Sequence, residues 1–192
     1  DDPDALSAAL MRRFDDPDAL SAALAAGELD AVFGLDHTAI VQEYHPPLGG
    51  GIVRVEALDG RYLYAIRIFN DSDDSFNLCP ADICQVPGEE NDTAPLQAIQ
   101  AKKPLRIEAT QPPDWVVDGV LKVFRHSGID IGSVEYLESA RDGQIYLYDV
   151  NSLSNFVTDA PRLVGFDPFA RFTDYLERRA YSSRLVGAIA AS

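Results

Sequence analysis

The segment at residues 132–151, GSVEYLESARDGQIYLYDVN, constrains the fold more than any other part of the sequence. Two runs of alternating apolar residues flank Asp142-Gly143, and an Asp-Gly pair between such runs is a strong signal for a β-hairpin. A two-residue loop would place Glu135 and Asp149 on opposite faces. A three-residue loop, with Gly143 in the left-handed conformation, pairs Glu135 directly with Asp149.

The three-residue loop also matches like residues on both faces. The predicted partners are Val134 with Val150, Tyr136 with Tyr148, and Leu137 with Leu147. Because a one-residue slip would move every side chain to the other face, this match favours the register. Asp149 and Asn151 then face the same way as Glu135. Two carboxylates and an amide oxygen suit Mg²⁺ or Mn²⁺, although an exposed hairpin with polar edge residues explains the pattern equally well.

A second hairpin is predicted around Asp59-Gly60. Its two-residue turn makes Arg54 and Arg67 diagonal neighbours on one face. The other face would carry apolar and aromatic residues, namely Val53, Val55, Tyr64 and Ile66. Two guanidinium groups side by side repel each other unless an anion lies between them, so one interpretation is a phosphate clamp. The alternative is that each arginine pairs with a nearby acid such as Glu56.

The charge balance limits the partners of the chain. Sixteen basic residues stand against 31 acidic ones, giving a net charge of −15, which argues against nucleic acid or an anionic membrane as the main partner. We expect neither a membrane span nor a secretory leader. The two cysteines, Cys79 and Cys84, are too few for a disulfide scaffold and predict reduced thiols in a cytoplasmic protein.

The chain is predicted to have three parts. Residues 1–37 form a helical lead-in, partly disordered at its start, because residues 1–10 and 15–24 repeat one decapeptide that opens with a helix-starting Asp-Pro. Residues 38–180 form the main domain and residues 181–192 a frayed tail. The abrupt start suggests a piece of a longer protein, and the oligomeric state is not predicted.

The elements of the main domain indicate an α+β fold. A short strand is predicted at 38–44, before the glycine-rich run 45–51. Helices are predicted from Asp114 to about Ser127 and from Asp167 to about Arg179. Strand pairs followed by interleaved helices are typical of α+β proteins.

This order of parts resembles the C-terminal portion of ATP-grasp ligases, in particular the branch of glutathione synthetase and the ribosomal-protein glutamate ligases. The resemblance covers about residues 38 to 176. Its motifs are a strand ending in Gln42-Glu43-Tyr44, the arginine hairpin, and Glu135 followed by Asp149-Val150-Asn151. The implied fold is a partial ATP-grasp fold, an antiparallel sheet with flanking helices.

The resemblance also implies site residues and substrates. It assigns ATP binding to Gln42, Glu43, Tyr44 and Asn77. It assigns catalysis to Arg54 and Arg67, and metal binding to Glu135, Asp149 and Asn151. Ser152 and Asn155 would lie in the loop that receives substrate. The implied cofactors are ATP and Mg²⁺ (or Mn²⁺), and the implied reaction joins a small-molecule carboxylate to an amine through an acyl-phosphate.

Several family features have no counterpart in this sequence. The upstream lysines and the glycine-rich lid are missing before residue 38, Ile52 replaces an acidic residue that often holds the ribose, and Ser133 replaces a common arginine. We therefore expect this segment to be inactive alone, although the intact protein would be a ligase. The alternatives are a nucleotide-binding remnant without chemistry and a small-molecule kinase on the same fold.

Overall fold

The computed structural model describes residues 13–29, 38–69, 106–154, 156–157 and 159–190, with side chains described up to residue 182. These residues fall into two compact units. The first contains 13–29 and 38–45, and the second contains the rest. The predicted boundaries of the three parts of the chain stay a prediction.

The described residues of the first unit include the helix α1 (Pro17–Ala25). Asp16 caps it, since its carboxylate accepts a hydrogen bond from the backbone N–H of Ala19 at 2.7 Å. This confirms the predicted helix start in the second copy of the decapeptide, and the first copy lies outside the described residues. The predicted strand at 38–44 is wrong: the backbone there has no regular structure. Ile40 is 86% exposed and Val41 75% exposed, so none of the described strands covers their side chains.

The second unit is built on one antiparallel sheet of five strands, in the order β3-β2-β1-β4-β5. The strands are β1 (Gly51–Leu58), β2 (Arg61–Phe69), β3 (Arg106–Thr110), β4 (Ile131–Glu138) and β5 (Ile145–Asn151). The helices are α2 (Asp114–Ser127), α3 (Ala160–Val164) and α4 (Pro168–Ala190). The predicted α+β fold is confirmed, and α4 extends beyond its predicted end.

Both faces of the sheet are covered by apolar groups. One face packs against α2, whose Val116, Val120 and Phe124 are fully buried in the same cluster as Val55 and Val134. The other face packs against the segment after β5 and against α3, in a cluster containing Ile52, Tyr64, Ile66, Ile68, Phe156, Val157 and Ala160. Within the described ranges, no helix is both long and apolar enough to cross a membrane.

The first hairpin has the predicted two-residue turn, with positive φ at Asp59 (55°) and Gly60 (70°). However, β2 contains one extra residue, Leu63, so Ala57 pairs with Tyr62 and Glu56 pairs with Tyr64. This bulge moves every later residue of β2 to the other face. The prediction that Arg54 and Arg67 share a face is therefore wrong.

The actual partners show the consequence of that bulge. Arg54 pairs with Ile66, on the face of α3, whereas Arg67 pairs with Val53, on the face of α2. The predicted apolar set also divides, because Val53 and Val55 lie on one face while Tyr64 and Ile66 lie on the other.

The second hairpin reaches the predicted pairing at its far end by another route. Its loop has four residues, 140–143, closed by hydrogen bonds between Ser139 and Gln144 (2.8 Å) and from the Gly143 N–H to the Ser139 carbonyl (2.8 Å). Gly143 has φ 69°, the left-handed conformation that was predicted.

A bulge then offsets the longer loop. Tyr136 pairs with Leu147 and Leu137 with Tyr146, so the predicted partners of these two residues are wrong. Tyr148 is the extra residue of the bulge, and beyond it the predicted register is restored. Glu135 is opposite Asp149 and Val134 is opposite Val150, as predicted.

Candidate functional site

The three residues predicted to bind metal lie together at one edge of the sheet. Glu135 on β4 is opposite Asp149 on β5, and Asn151, two residues further along β5, has its side chain on the same face. The Asn151 amide donates a hydrogen bond to Asp149 Oδ2 at 2.7 Å. Glu135 is buried, whereas Asp149 is exposed. The predicted convergence is confirmed, and the role of these residues as metal ligands stays a prediction.

The site is part of two rows of side chains that cross the sheet on the α3 face. In one row Arg54 is paired with Glu135, which is paired with Asp149. In the neighbouring row the paired residues run from β2 to β5 as Tyr64, Glu56, Ser133 and Asn151. Polar groups therefore continue from the exposed edge into the buried centre of the sheet.

Arg54 is held by acidic and polar groups on three sides. Its Nε donates to Glu56 Oε1 at 2.8 Å, its Nη1 to Glu135 Oε1 at 3.4 Å and its Nη2 to Ser154 Oγ at 3.4 Å. All four residues are buried. The geometry matches the alternative in which the arginine pairs with nearby acids rather than with a phosphate.

Burial controls the ionisation of the two glutamates. Removal from water raises the pKa of Glu56, and the Arg54 guanidinium only partly opposes that rise. Burial likewise raises the pKa of Glu135, against the Tyr148 hydroxyl and Arg54, which both lower it. A buried carboxylate resists ionisation unless positive charge or hydrogen-bond donors surround it.

Tyr148 completes the surroundings of Glu135. Its hydroxyl donates a hydrogen bond to Glu135 Oε2 at 2.9 Å, while Arg54 binds the other oxygen. Tyr148 is 37% exposed as a whole residue, but partial removal of the phenol from water and the negative charge of Glu135 together raise its pKa above the ordinary value. The phenol is therefore a proton donor in this contact at all physiological pH values.

Ser133 Oγ, in the second row, is buried and has no hydrogen-bond partner among the described residues. Ser133 is 0% exposed. An unsatisfied buried polar atom costs about 1–3 kcal/mol, so this hydroxyl is available to bind a water molecule or a ligand.

Glu135, Asp149 and Asn151 offer the kind of ligand atom that a magnesium ion prefers, but too few of them to fill its coordination sphere. Two carboxylates and an amide supply hard oxygen ligands, and Mg²⁺ commonly takes its remaining ligands from waters and phosphates. Among the described residues, no group of three His, Cys, Asp or Glu side chains is placed to hold a metal. Glu135, Asp149 and Asn151 would thus bind an ion together with oxygens from another molecule.

Among the described residues of the second unit, Arg67 does not join this cluster. Arg67 lies on the opposite face, where its Nη2 donates to the Leu48 carbonyl at 3.1 Å. Ser152 follows β5 directly and is exposed. Asn77 and Asn155, like both cysteines, lie outside the described residues.

The segment Gln42-Glu43-Tyr44, predicted to contact adenine, belongs to the first unit. Glu43 lies 3.6 Å from His45 and the Tyr44 ring lies 4.5 Å from the Arg13 guanidinium. Gln42 and Glu43 are exposed, and Tyr44 is partly buried. Their role in nucleotide binding stays a prediction.

Sequence reasoning missed Ser154 and Tyr148 and treated Glu56 only as a competing partner for Arg54. The spacing of Arg54 and Glu56, two residues apart on one strand, was a usable signal for a same-face ion pair. Tyr148 had no such signal, because the predicted register placed it on the other face, opposite Tyr136. Ser154 reaches Arg54 across 100 residues of sequence, and no local pattern predicts that contact.

Comparison with solved structures finds ATP-grasp ligases. ATP-grasp ligase PsnB complexed with a minimal precursor has a TM-score of 0.48 and 20% identity, over 72% of this chain and 37% of that one. D-alanine–D-alanine ligase from Bacillus anthracis complexed with ATP has a TM-score of 0.44 and 19% identity, over 78% and 42%.

The macrocyclase MdnC from Microcystis aeruginosa, bound with its precursor peptide MdnA, has a TM-score of 0.36 and 11% identity, over 58% of this chain and 27% of that one. This chain thus spans less than half the length of each of these three proteins. No protein-family model and no curated protein matches the sequence.

Proposed function

We propose that this chain is part of a cytoplasmic ATP- and Mg²⁺-dependent ligase that joins a small-molecule carboxylate to an amine. Within the ATP-grasp ligases, the motif order favours the branch of glutathione synthetase and the ribosomal-protein glutamate ligases. One observation carries the proposal: Glu135 is directly opposite Asp149, with Asn151 on the same face. Three oxygen-bearing side chains so placed suit Mg²⁺, with Mn²⁺ as a substitute.

The proposed reaction has two steps. The substrate carboxylate attacks the γ-phosphorus of ATP, forming an acyl-phosphate and releasing ADP, and the amine then displaces phosphate to form the amide. A bound magnesium ion would neutralise charge on the phosphate oxygens. Asp149, exposed at the sheet edge, is the ligand most accessible from solvent, and Glu135 is fixed behind it by Arg54 and Tyr148.

The other assignments rest on the resemblance in sequence. Gln42, Glu43 and Tyr44 would contact the adenine, together with Asn77. Ser152 and Asn155, which follow the last metal ligand in the chain, would contact the substrate. The predicted pairing of Arg67 with Arg54 no longer supports a role for Arg67 at the phosphates, because Arg67 lies on the opposite face of the sheet from Glu135.

Calorimetry with ATP tests the proposal on this chain. Binding should require Mg²⁺ or Mn²⁺, and Asp149→Ala or Asn151→Ala should weaken it by about tenfold or more. Asp118→Ala is the matched control, since it removes an exposed carboxylate from α2, outside the proposed site. Metal-independent binding, or equal affinity in all four proteins, would count against the site.

A nucleotide-binding remnant without chemistry is the second candidate, and the state of Arg54 favours it. The guanidinium is buried and donates to Glu56, Glu135 and Ser154, so its charge is already partly balanced by two carboxyl groups of the chain itself rather than by a phosphoryl group. A phosphate-release assay with the intact protein separates the two functions. Metal-dependent ATP binding without release over a panel of carboxylates and amines would support the remnant.

A further inference from the structure

The bulge in β5 changes what Tyr148 can reach. In an uninterrupted register Tyr148 would be opposite Tyr136, whose side chain is in the cluster that packs against α2. The extra residue breaks the alternation of side chains along β5. Tyr148 instead points to the face of Glu135 and donates its hydroxyl to that carboxylate at 2.9 Å.

Glu135 is thereby fixed at both of its oxygens. Arg54 Nη1 is 3.4 Å from Oε1, and Tyr148 Oη is 2.9 Å from Oε2. Each carboxylate oxygen has about two acceptor directions, so the two contacts leave directions open while they prevent rotation of the group. The remaining acceptor directions are where a cation would bind.

A separate observation points to an occupant beside this carboxylate. Ser133 precedes Glu135 by two residues on β4, is opposite Asn151, and is 0% exposed. Its hydroxyl has no partner among the described residues. Buried polar atoms are nearly always satisfied in folded proteins, so this hydroxyl is placed to bind a group that enters the row beside Asn151.

We infer that Tyr148 is a positioning residue: it orients Glu135 for a divalent cation and thereby sets the affinity of the site. The inference rests on the proposed function, because it takes Glu135, Asp149 and Asn151 as the ligands. Hydrogen bonds to a ligating carboxylate typically change metal affinity by about 10–100-fold. Tyr148 supplies such a bond from the edge strand, where substitution disturbs little buried structure.

Titration with Mn²⁺, followed by the loss of the free-ion electron paramagnetic resonance signal, tests the inference on the full chain. Tyr148→Phe should weaken Mn²⁺ binding about tenfold. Tyr146→Phe is the matched control: it removes a phenol on the same strand whose hydroxyl binds Asp142 in the loop at 2.8 Å, away from Glu135. The control should bind Mn²⁺ as the unchanged chain does.

A double-mutant comparison separates positioning from a structural role. If Tyr148 acts through Glu135, Tyr148→Phe should have no further effect in a chain that already carries Glu135→Gln. A residue that only stabilises β5 would weaken Mn²⁺ binding by the same factor in both backgrounds. Thermal unfolding of each variant verifies that the proteins compared are folded.

The failure modes are distinct. If the unchanged chain shows no saturable Mn²⁺ binding, the proposed metal site is refuted, and so is the proposed role of Tyr148. If the unchanged chain binds and Tyr148→Phe binds equally well, or loses the same factor with and without Glu135→Gln, only the role of Tyr148 is overturned. The proposed metal site would survive that result.

Discussion

The carbonyl oxygen of Asn151 lies against Gly132, in the space that a side chain on residue 132 would need. A Cβ built on Gly132 would be 2.2 Å from that oxygen and 3.2 Å from the Phe124 ring. β5, which carries the proposed metal ligands Asp149 and Asn151, can therefore come this close to β4 only because residue 132 has no side chain. The contact links the end of β5 to the core beneath the sheet.

Gly132→Ala should destabilise the protein and move Asn151, because backbone rather than a flexible side chain has to give way. We expect a loss of about 1–3 kcal/mol in the free energy of unfolding, as for other overpacked sites. Urea unfolding measures the stability, and Mn²⁺ titration measures the effect on the site.

Gly119→Ala is the control for that experiment. It makes the same substitution inside α2, where the added Cβ meets nothing within 4 Å. Alanine is favoured over glycine in a helix interior, so stability should rise by about 0.5–1 kcal/mol. Loss of stability in both variants would contradict the steric explanation.

Arg54→Met should be strongly destabilising. It leaves the buried carboxylates of Glu56 and Glu135 without their positive partner, and breaking a buried pair in this way typically costs about 3–5 kcal/mol. Arg106→Met removes an arginine from a half-exposed ion pair with Glu108, for which about 0–1 kcal/mol is expected. Urea denaturation of both variants would show the difference, and equal losses would refute the burial argument.

Glu56→Gln should change how stability depends on pH. Burial raises the pKa of Glu56 above its ordinary value of 4.5, so between that pH and the folded-state pKa the folded state holds a proton that the unfolded state has released. Linkage then makes stability fall as pH rises through the folded-state pKa. The glutamine variant lacks this ionisation, so its unfolding free energy should fall less steeply with pH.

Measuring unfolding at a series of pH values above 4.5 checks the sign of that effect. Asp118→Asn serves as the comparison, because it removes an exposed carboxylate. A steeper pH dependence in Glu56→Gln than in the unchanged chain would show that Glu56 ionises readily in the folded protein.

Gly143→Ala should lower stability by about 1 kcal/mol through backbone strain alone. The residue has φ 69° and no atom within 4 Å of a built Cβ, so crowding is not involved. Asparagine tolerates this conformation better than alanine, and Gly143→Asn should therefore retain most of the stability. Equal melting temperatures for the two variants would mean that the turn relaxes.

The turns were more predictable than the registers that follow them. Asp59-Gly60 folds as its sequence indicates because positive φ at both positions is a local property. The bulge at Leu63 has no local sequence signal, because Tyr62-Leu63-Tyr64 has a residue pattern that a regular strand could also have. Packing of the two faces decides where the extra residue goes, and one unrecognised bulge separated Arg54 from Arg67.

The pairing of Glu135 with Asp149 was predicted correctly although two of its premises were wrong. The loop has one residue more than predicted, and the bulge at Tyr148 compensates for it. The match of Val134 with Val150 identified the final register, although Val134 is fully buried and Val150 is 47% exposed. The contact of Tyr148 with Glu135 was missed because only the bulge turns Tyr148 toward the face of Glu135, and the bulge was not predicted.

Arg54 and Glu135 are separated by 81 residues, and each belongs to a hairpin that can form independently from neighbouring segments. Closing so long an intervening chain is entropically costly and slows folding. The cluster of charged side chains formed by Arg54, Glu56 and Glu135 is therefore assembled only when the two hairpins dock along β1 and β4. Substitutions in it should accelerate unfolding more than they retard refolding, so this cluster would determine how long the folded chain persists.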